Sequence, residues 1–78
     1  MNFDQALVET TQALLMMKTV LTVKAKIHQE IEGDGLVGPI TVTFYIGGSA
    51  ARLLAAIDKF DQLIRQRLPG CNVKWSSE

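Results

Sequence analysis

Leu21-Thr22-Val23-Lys24-Ala25-Lys26-Ile27-His28-Gln29-Glu30-Ile31-Glu32 alternates apolar and polar side chains, and only Gln29 breaks the pattern. A period of two over this length predicts a strand with one face in a core and the other in water. Leu21, Val23, Ala25, Ile27 and Ile31 form the inward set. Ile40 to Gly47 repeats the signal, with Ile40, Val42, Phe44 and Ile46 inward and Thr41, Thr43 and Tyr45 outward. Gly33-Asp34-Gly35 lies between the two runs and supplies turn chemistry, so together they predict an antiparallel hairpin. Pairing Glu32 with Pro39 sets Ile31 opposite Ile40, Ile27 opposite Phe44 and Ala25 opposite Ile46. On the wet face it sets Glu30 by Thr41, His28 by Thr43 and Lys26 by Tyr45. Both apolar sets then share a face, which a one-residue slip would destroy. Pro39 has no N–H to donate and is expected at the start of its strand or at an edge.

Helices flank the hairpin. Asn2 and Gln5 have capping-box spacing, and Phe3, Leu7, Leu14 and Met17 recur at helical intervals with Val8 and Leu15 on the adjoining row. The helix is expected to end near Met17. Gly47-Gly48-Ser49 turns the chain into a second helix with Ser49 as N-cap. Leu53, Ile57, Phe60 and Ile64 make its buried stripe, widened by Ala56, Leu63 and Leu68. Asp61 and Arg65 form a favourable four-residue pair, and Pro69-Gly70 ends the helix. Asn72 to Trp75 reads as a short third strand with Val73 and Trp75 on one face, and Ser76 to Glu78 as a polar tail.

The order α-β-β-α-β over residues 1–78 predicts a single α+β domain, a two-layer sandwich with both helices on one face of the sheet. The third strand arrives through a β-α-β crossover and must run parallel to the second, beside either the second or the first. A chain of 78 residues is near the lower size limit for an independent core, while its 47% hydrophobic content is ample for one. Apolar surface with no room inside a small core favours self-association.

Eight basic and eight acidic side chains cancel, which argues against a nucleic-acid partner, since such binding draws on a basic surplus. No apolar run approaches the roughly 20 residues that span a bilayer. The single cysteine and the lack of a signal-like start lead to an expected cytoplasmic location.

No constellation of catalytic or ligand residues stands out. His28, the only histidine, could serve as a general acid or base, but an exposed residue in an alternating strand explains it as well. One His and one Cys lack metal-site spacing. Gly47-Gly48-Ser49 matches no phosphate-loop pattern and is what a tight strand-to-helix turn requires. Gly33-Asp34-Gly35 lacks the ligand series of a calcium loop. Cys71, with no neighbouring cation, is expected as a small filler, and Met16 and Met17 as packing residues.

No catalytic residue, cofactor site or metal site is therefore assigned. Thr22, Lys24, Lys26, His28, Glu30, Thr41, Thr43 and Tyr45, the outward set of the hairpin, form the candidate interaction face. The expected function is a small non-enzymatic protein-interaction module, acting as a regulator, inhibitor or assembly subunit and forming a homodimer. A small nucleic-acid-binding domain using Lys18, Lys24, Lys26, His28 and Tyr45 is the alternative. A small hydrolase or nuclease centred on His28 stands third.

Overall fold

A computed structural model describes residues 1–78. Helix α1 spans Phe3–Met17, strand β1 Val23–Ile31, strand β2 Val37–Ile46, helix α2 Ala50–Arg67 and strand β3 Asn72–Ser77. The sheet order is β1-β2-β3, with β1 and β2 antiparallel and β3 parallel to β2. The α+β sandwich expected from the element order is the observed fold, and β3 takes its place beside β2. Both helices pack on one face, where Ala6, Ala13 and Met17 of α1 and Ala56, Phe60 and Ile64 of α2 join Val23, Val42, Phe44, Ile46 and Val73 in one core. α1 lies chiefly over β1 and α2 over β3.

Local chemistry sets the helix ends. Asn2 Oδ1 accepts from the Gln5 N–H at 2.8 Å, and Gln5 Oε1 accepts from the Asn2 N–H at 2.9 Å, a reciprocal cap for α1. Ser49 Oγ accepts from the Arg52 N–H at 3.3 Å and starts α2, which is capped at Leu68 ahead of Pro69. Asp61 fastens α2 to β3. Its Oδ1 accepts from the Trp75 indole at 2.8 Å, and its carboxylate takes the Arg65 Nε at 2.9 Å. Arg65 in turn donates to the Val73 carbonyl at 3.0 Å.

The hairpin register differs from the expected one by two residues. Ile27 faces Val42, Ala25 faces Phe44 and Val23 faces Ile46, rather than Ile27–Phe44, Ala25–Ile46 and Ile31–Ile40. On the wet face Lys24 faces Tyr45, Lys26 faces Thr43 and His28 faces Thr41, so the expected pairs of Lys26 with Tyr45, His28 with Thr43 and Glu30 with Thr41 are not formed. A slip of two keeps every side chain on its face, so alternation alone is blind to it. The cause is a longer second strand. β2 starts at Val37, and the register shifts between Gln29–Ile40 and Ile31–Val37, leaving Gly38 and Pro39 bulged on β2. Pro39 thus sits inside the central strand at a bulge, on a stretch that β3 does not reach. Gly38 suits the crowded bulge, since a Cβ would stand 3.2 Å from the Glu30 carbonyl and 2.9 Å from Glu32 Oε1, the movable end of that side chain. Gln29, the residue that broke the alternation, lies on the inner face opposite Ile40 and donates from its amide to the Gly38 carbonyl at 3.1 Å. Gly35, with φ of +85°, closes the connecting turn.

Burial also departs from expectation in α1. The residues turned to the sheet are Ala6, Thr10, Ala13 and Met17, while Phe3, Leu7, Val8 and Leu15 are exposed. Small side chains let the helix axis approach the sheet closely, and that approach decides which helical row is buried. Ile31 was expected in the core and is 77% exposed. The hairpin projects past the helices, and the molecule measures 42 × 19 × 17 Å. In α2, Leu63 lies outside the buried stripe, whose members are Ala56, Phe60, Ile64 and the capping Leu68. β1 begins at Val23 rather than Leu21, and β2 ends at Ile46, one residue before Gly47. Ser76 and Ser77 extend β3, so the expected polar tail is mostly strand.

Candidate functional site

The side of the sheet away from the helices is a lattice of polar side chains, three strands wide. One row is His28, Thr41 and Asn72; the next is Lys26, Thr43 and Lys74; the third is Lys24, Tyr45 and Ser76. Thr22 lies at one end, its carbonyl accepting from the Gly47 N–H at 3.0 Å. Glu30 lies at the other, opposite the bulge and between the Gln29–Ile40 and Ile31–Val37 pairs. All eight candidate residues therefore share this face. β3 adds Asn72, Lys74 and Ser76, which were not assigned from the sequence; the alternation of Asn72 and Lys74 with Val73 and Trp75 was the signal that could have placed the first two here, while Ser76 was expected in the polar tail.

The lattice is charged but flat. Lys24 Nζ meets Glu78 Oε1 at 2.8 Å. The hydrogen bond and charge of Glu78 hold the Lys24 ammonium above its ordinary pKa. Lys26 Nζ stands 5.7 Å from the centre of the Tyr45 ring. A shallow depression of about 340 Å³ touches Lys24, Lys26, Tyr45 and Glu78. His28 is exposed beside Thr41 and Asn72, with Lys26 and Glu30 before and after it on the same side of β1. No group of three or more His, Cys, Asp and Glu side chains comes together anywhere in the chain. What this arrangement can do is present lysines, hydroxyls and one aromatic to a second surface.

Elsewhere, Val20 and Leu21 face Ala55, Ala56 and Phe60 across a groove of about 390 Å³ rimmed by Arg52 and Lys59. It lacks convergent acceptors. Cys71 is half-buried, its Sγ 3.8 Å from the Met1 sulfur, and burial pushes its thiol above the ordinary range, which makes it a poor nucleophile. No helix is long and apolar enough to cross a membrane.

The apolar surface is the feature that alternation did not foretell. At the hairpin end, Ile31 and its partner Val37 are exposed at 77% and 69%, with Leu36 at 64%. On α1 the exposed residues Phe3 and Leu7 lie on one flank with the half-buried Leu14. Glu9, whose carboxylate lies 4.0 Å from Arg67, marks the flank that faces α2. Phe3, Leu7 and Leu14 are on the opposite flank, towards the free edge of β1. Comparison of the chain with protein-family models, with curated proteins and with solved structures finds no match.

Proposed function

We propose that this chain is a small non-enzymatic interaction module whose working form is a self-associated one, most simply a homodimer. The observation that carries the reading is the uncovered apolar surface of the overhanging hairpin, where Ile31 and Val37 share the inner face of the sheet with no helix above them. Isolated surface hydrophobics are ordinary, but a contiguous set on a protruding element marks a contact surface. The exposed flank of α1 adds a second apolar area of the same kind. A twofold partner is favoured because one self-complementary patch closes the assembly at two copies. The lattice of polar side chains supports the same reading: it offers hydroxyls, amines and Tyr45 without a cleft in which to perform chemistry.

Sedimentation or light scattering over a dilution series from millimolar to micromolar is the test. A mass of two chains that falls to one on dilution is expected. A mass of one chain at every concentration would overturn the reading.

A further inference from the structure

We propose that two copies of the chain join edge to edge through β1, antiparallel, about a twofold axis that passes at His28. The inference rests on the self-association reading above and specifies its geometry.

The sheet has two edges, and they are not equivalent. The Glu78 N–H donates to the Ile46 carbonyl at 2.9 Å, so even-numbered residues of β3 turn their backbone groups to β2 and odd-numbered ones turn theirs outward. The outward Val73 carbonyl is already taken by Arg65. That edge is the shorter one, 6 residues against 9 in β1, and its row of outward acceptors is interrupted at Val73. At the other edge the Thr22 carbonyl accepts from Gly47, so Lys24, Lys26 and His28 point their backbone groups to β2. Val23, Ala25, Ile27 and Gln29 point theirs into open space. β1 is thus a long strand with a free row of donors and acceptors, the type of edge that recruits another strand.

Charge selects the orientation and the register. Along the wet side of β1, Lys24 and Lys26 precede His28 and Glu30 follows it, with Glu32 one residue past the end of the strand. A strand that is positive in its first half and negative in its second complements itself only when antiparallel. With His28 on the axis, Lys26 stands opposite Glu30 of the second copy and Lys24 opposite its Glu32, each pair occurring twice by symmetry. Lys24 is mostly exposed despite its contact with Glu78, so a second carboxylate can reach it. Ile27 and Gln29 of opposite copies then form the hydrogen-bonded pairs that flank the axis.

Shape leads to the same residue. At 1.5 Å per residue α1 is about 22 Å long, whereas β1 at about 3.3 Å per residue is nearly 30 Å. α1 starts beside Cys71, where Met1 lies, and Asn72 is level with Thr41 and His28. The helix therefore covers β1 only as far as His28, and the rest of the hairpin overhangs. A twofold axis at His28 carries α1 of the second copy alongside that overhang. Its Phe3, Leu7 and Leu14 flank, which faces the free edge of β1, then closes over Ile31 and Val37. A strand pair alone buries too little for a stable complex, and this contact supplies the remainder.

The experiment is cysteine cross-linking of the full chain in a Cys71→Ser background. His28→Cys is a change at an exposed position, in a pair not bridged by backbone hydrogen bonds across the proposed seam, where Cα atoms about 4.5 Å apart suit a disulfide. Mild oxidation should convert it to a covalent dimer, and Lys24→Cys, far from the axis, should stay monomeric on a denaturing gel. Independently, Lys26→Glu and Glu30→Lys should each raise the dimer dissociation constant by about tenfold, and the double variant should restore it. A two-chain mass without a His28→Cys cross-link, or a double variant as weak as the singles, would overturn the β1 seam and leave self-association standing. A one-chain mass for the parent would overturn both.

Discussion

Replacing Asp61 by Ala removes the acceptor that fastens α2 to β3, and the size of the loss can be worked out from its partners. The Trp75 indole donates to Asp61 Oδ1 at 2.8 Å in a partly buried setting. A hydrogen bond to a charged group contributes about 1.5–3 kcal/mol, and the partial exposure of Asp61 puts this one at the lower end. The Arg65 pair is exposed and adds only about 0.3–0.5 kcal/mol. Asp61→Ala should therefore cost about 2 kcal/mol, equivalent to a fall of roughly 8–16 °C in melting temperature for a domain of this size. Asp61→Asn keeps a carbonyl oxygen for the indole and should cost less than about 1 kcal/mol. Burial pushes the Asp61 carboxyl upward, but the hydrogen bonds from Trp75 and Arg65, together with the Arg65 charge, outweigh it and hold the group below its ordinary value. The unfolded chain thus binds the proton more readily. The stabilisation is complete above the ordinary carboxylate pKa near about 4 and is lost as pH falls through the lower folded value. Asp61→Asn should flatten that part of the acid limb. Trp75, the only tryptophan, reports directly through its fluorescence during thermal and acid unfolding. An Asp61→Ala melting temperature within a degree or two of the parent, or an acid limb unchanged in Asp61→Asn, would refute the reasoning.

Phe44 is fully buried against Trp75, with ring centres 5.1 Å apart, so Phe44→Ala should cost about 3–5 kcal/mol and lower the urea midpoint by more than about 1 M. An unchanged midpoint would show that Phe44 is not in the core. Thr10 is buried on the sheet side of α1 and its hydroxyl has no partner, so Thr10→Val, similar in volume, should raise stability by about 0.5–1.5 kcal/mol in the same titration. A loss of stability would mean that the hydroxyl is bonded after all.

The faces of the hairpin were legible because a strand's side-chain period is two and one face is buried. Its register was not. The bulge at Gly38-Pro39 moves the pairing by two residues, and no count of apolar positions responds to such a move. The buried row of α1 was misread for a different reason. Phe3, Leu7, Leu14 and Met17 have helical spacing, but so do Ala6, Thr10, Ala13 and Met17, and hydrophobicity alone favours the larger set. Close approach to a sheet favours the smaller one. Ile31 kept its inward direction and lost its burial because α1 is shorter than the strand it covers, a fact visible only once both lengths are compared. The outward sides of β1 and β2 follow from the same alternation. Asn72 and Lys74 were legible by it too, since they alternate with Val73 and Trp75, whereas Ser76 was hidden because the polar end of the chain carries no apolar residue to mark a strand.

The Arg65 guanidinium on the Val73 carbonyl has an implication for valency. A three-stranded sheet with two free borders is a monomer in the polymer chemist's sense, able to accept a neighbour on each side and to extend without limit. Engaging the Val73 carbonyl with a side chain from α2 interrupts the row of outward groups on the β3 border, although those of Trp75 stay open, and leaves the β1 border untouched. A border whose row of acceptors is interrupted is the poorer template for a further strand, so the two sides of the sheet differ in their capacity to extend it.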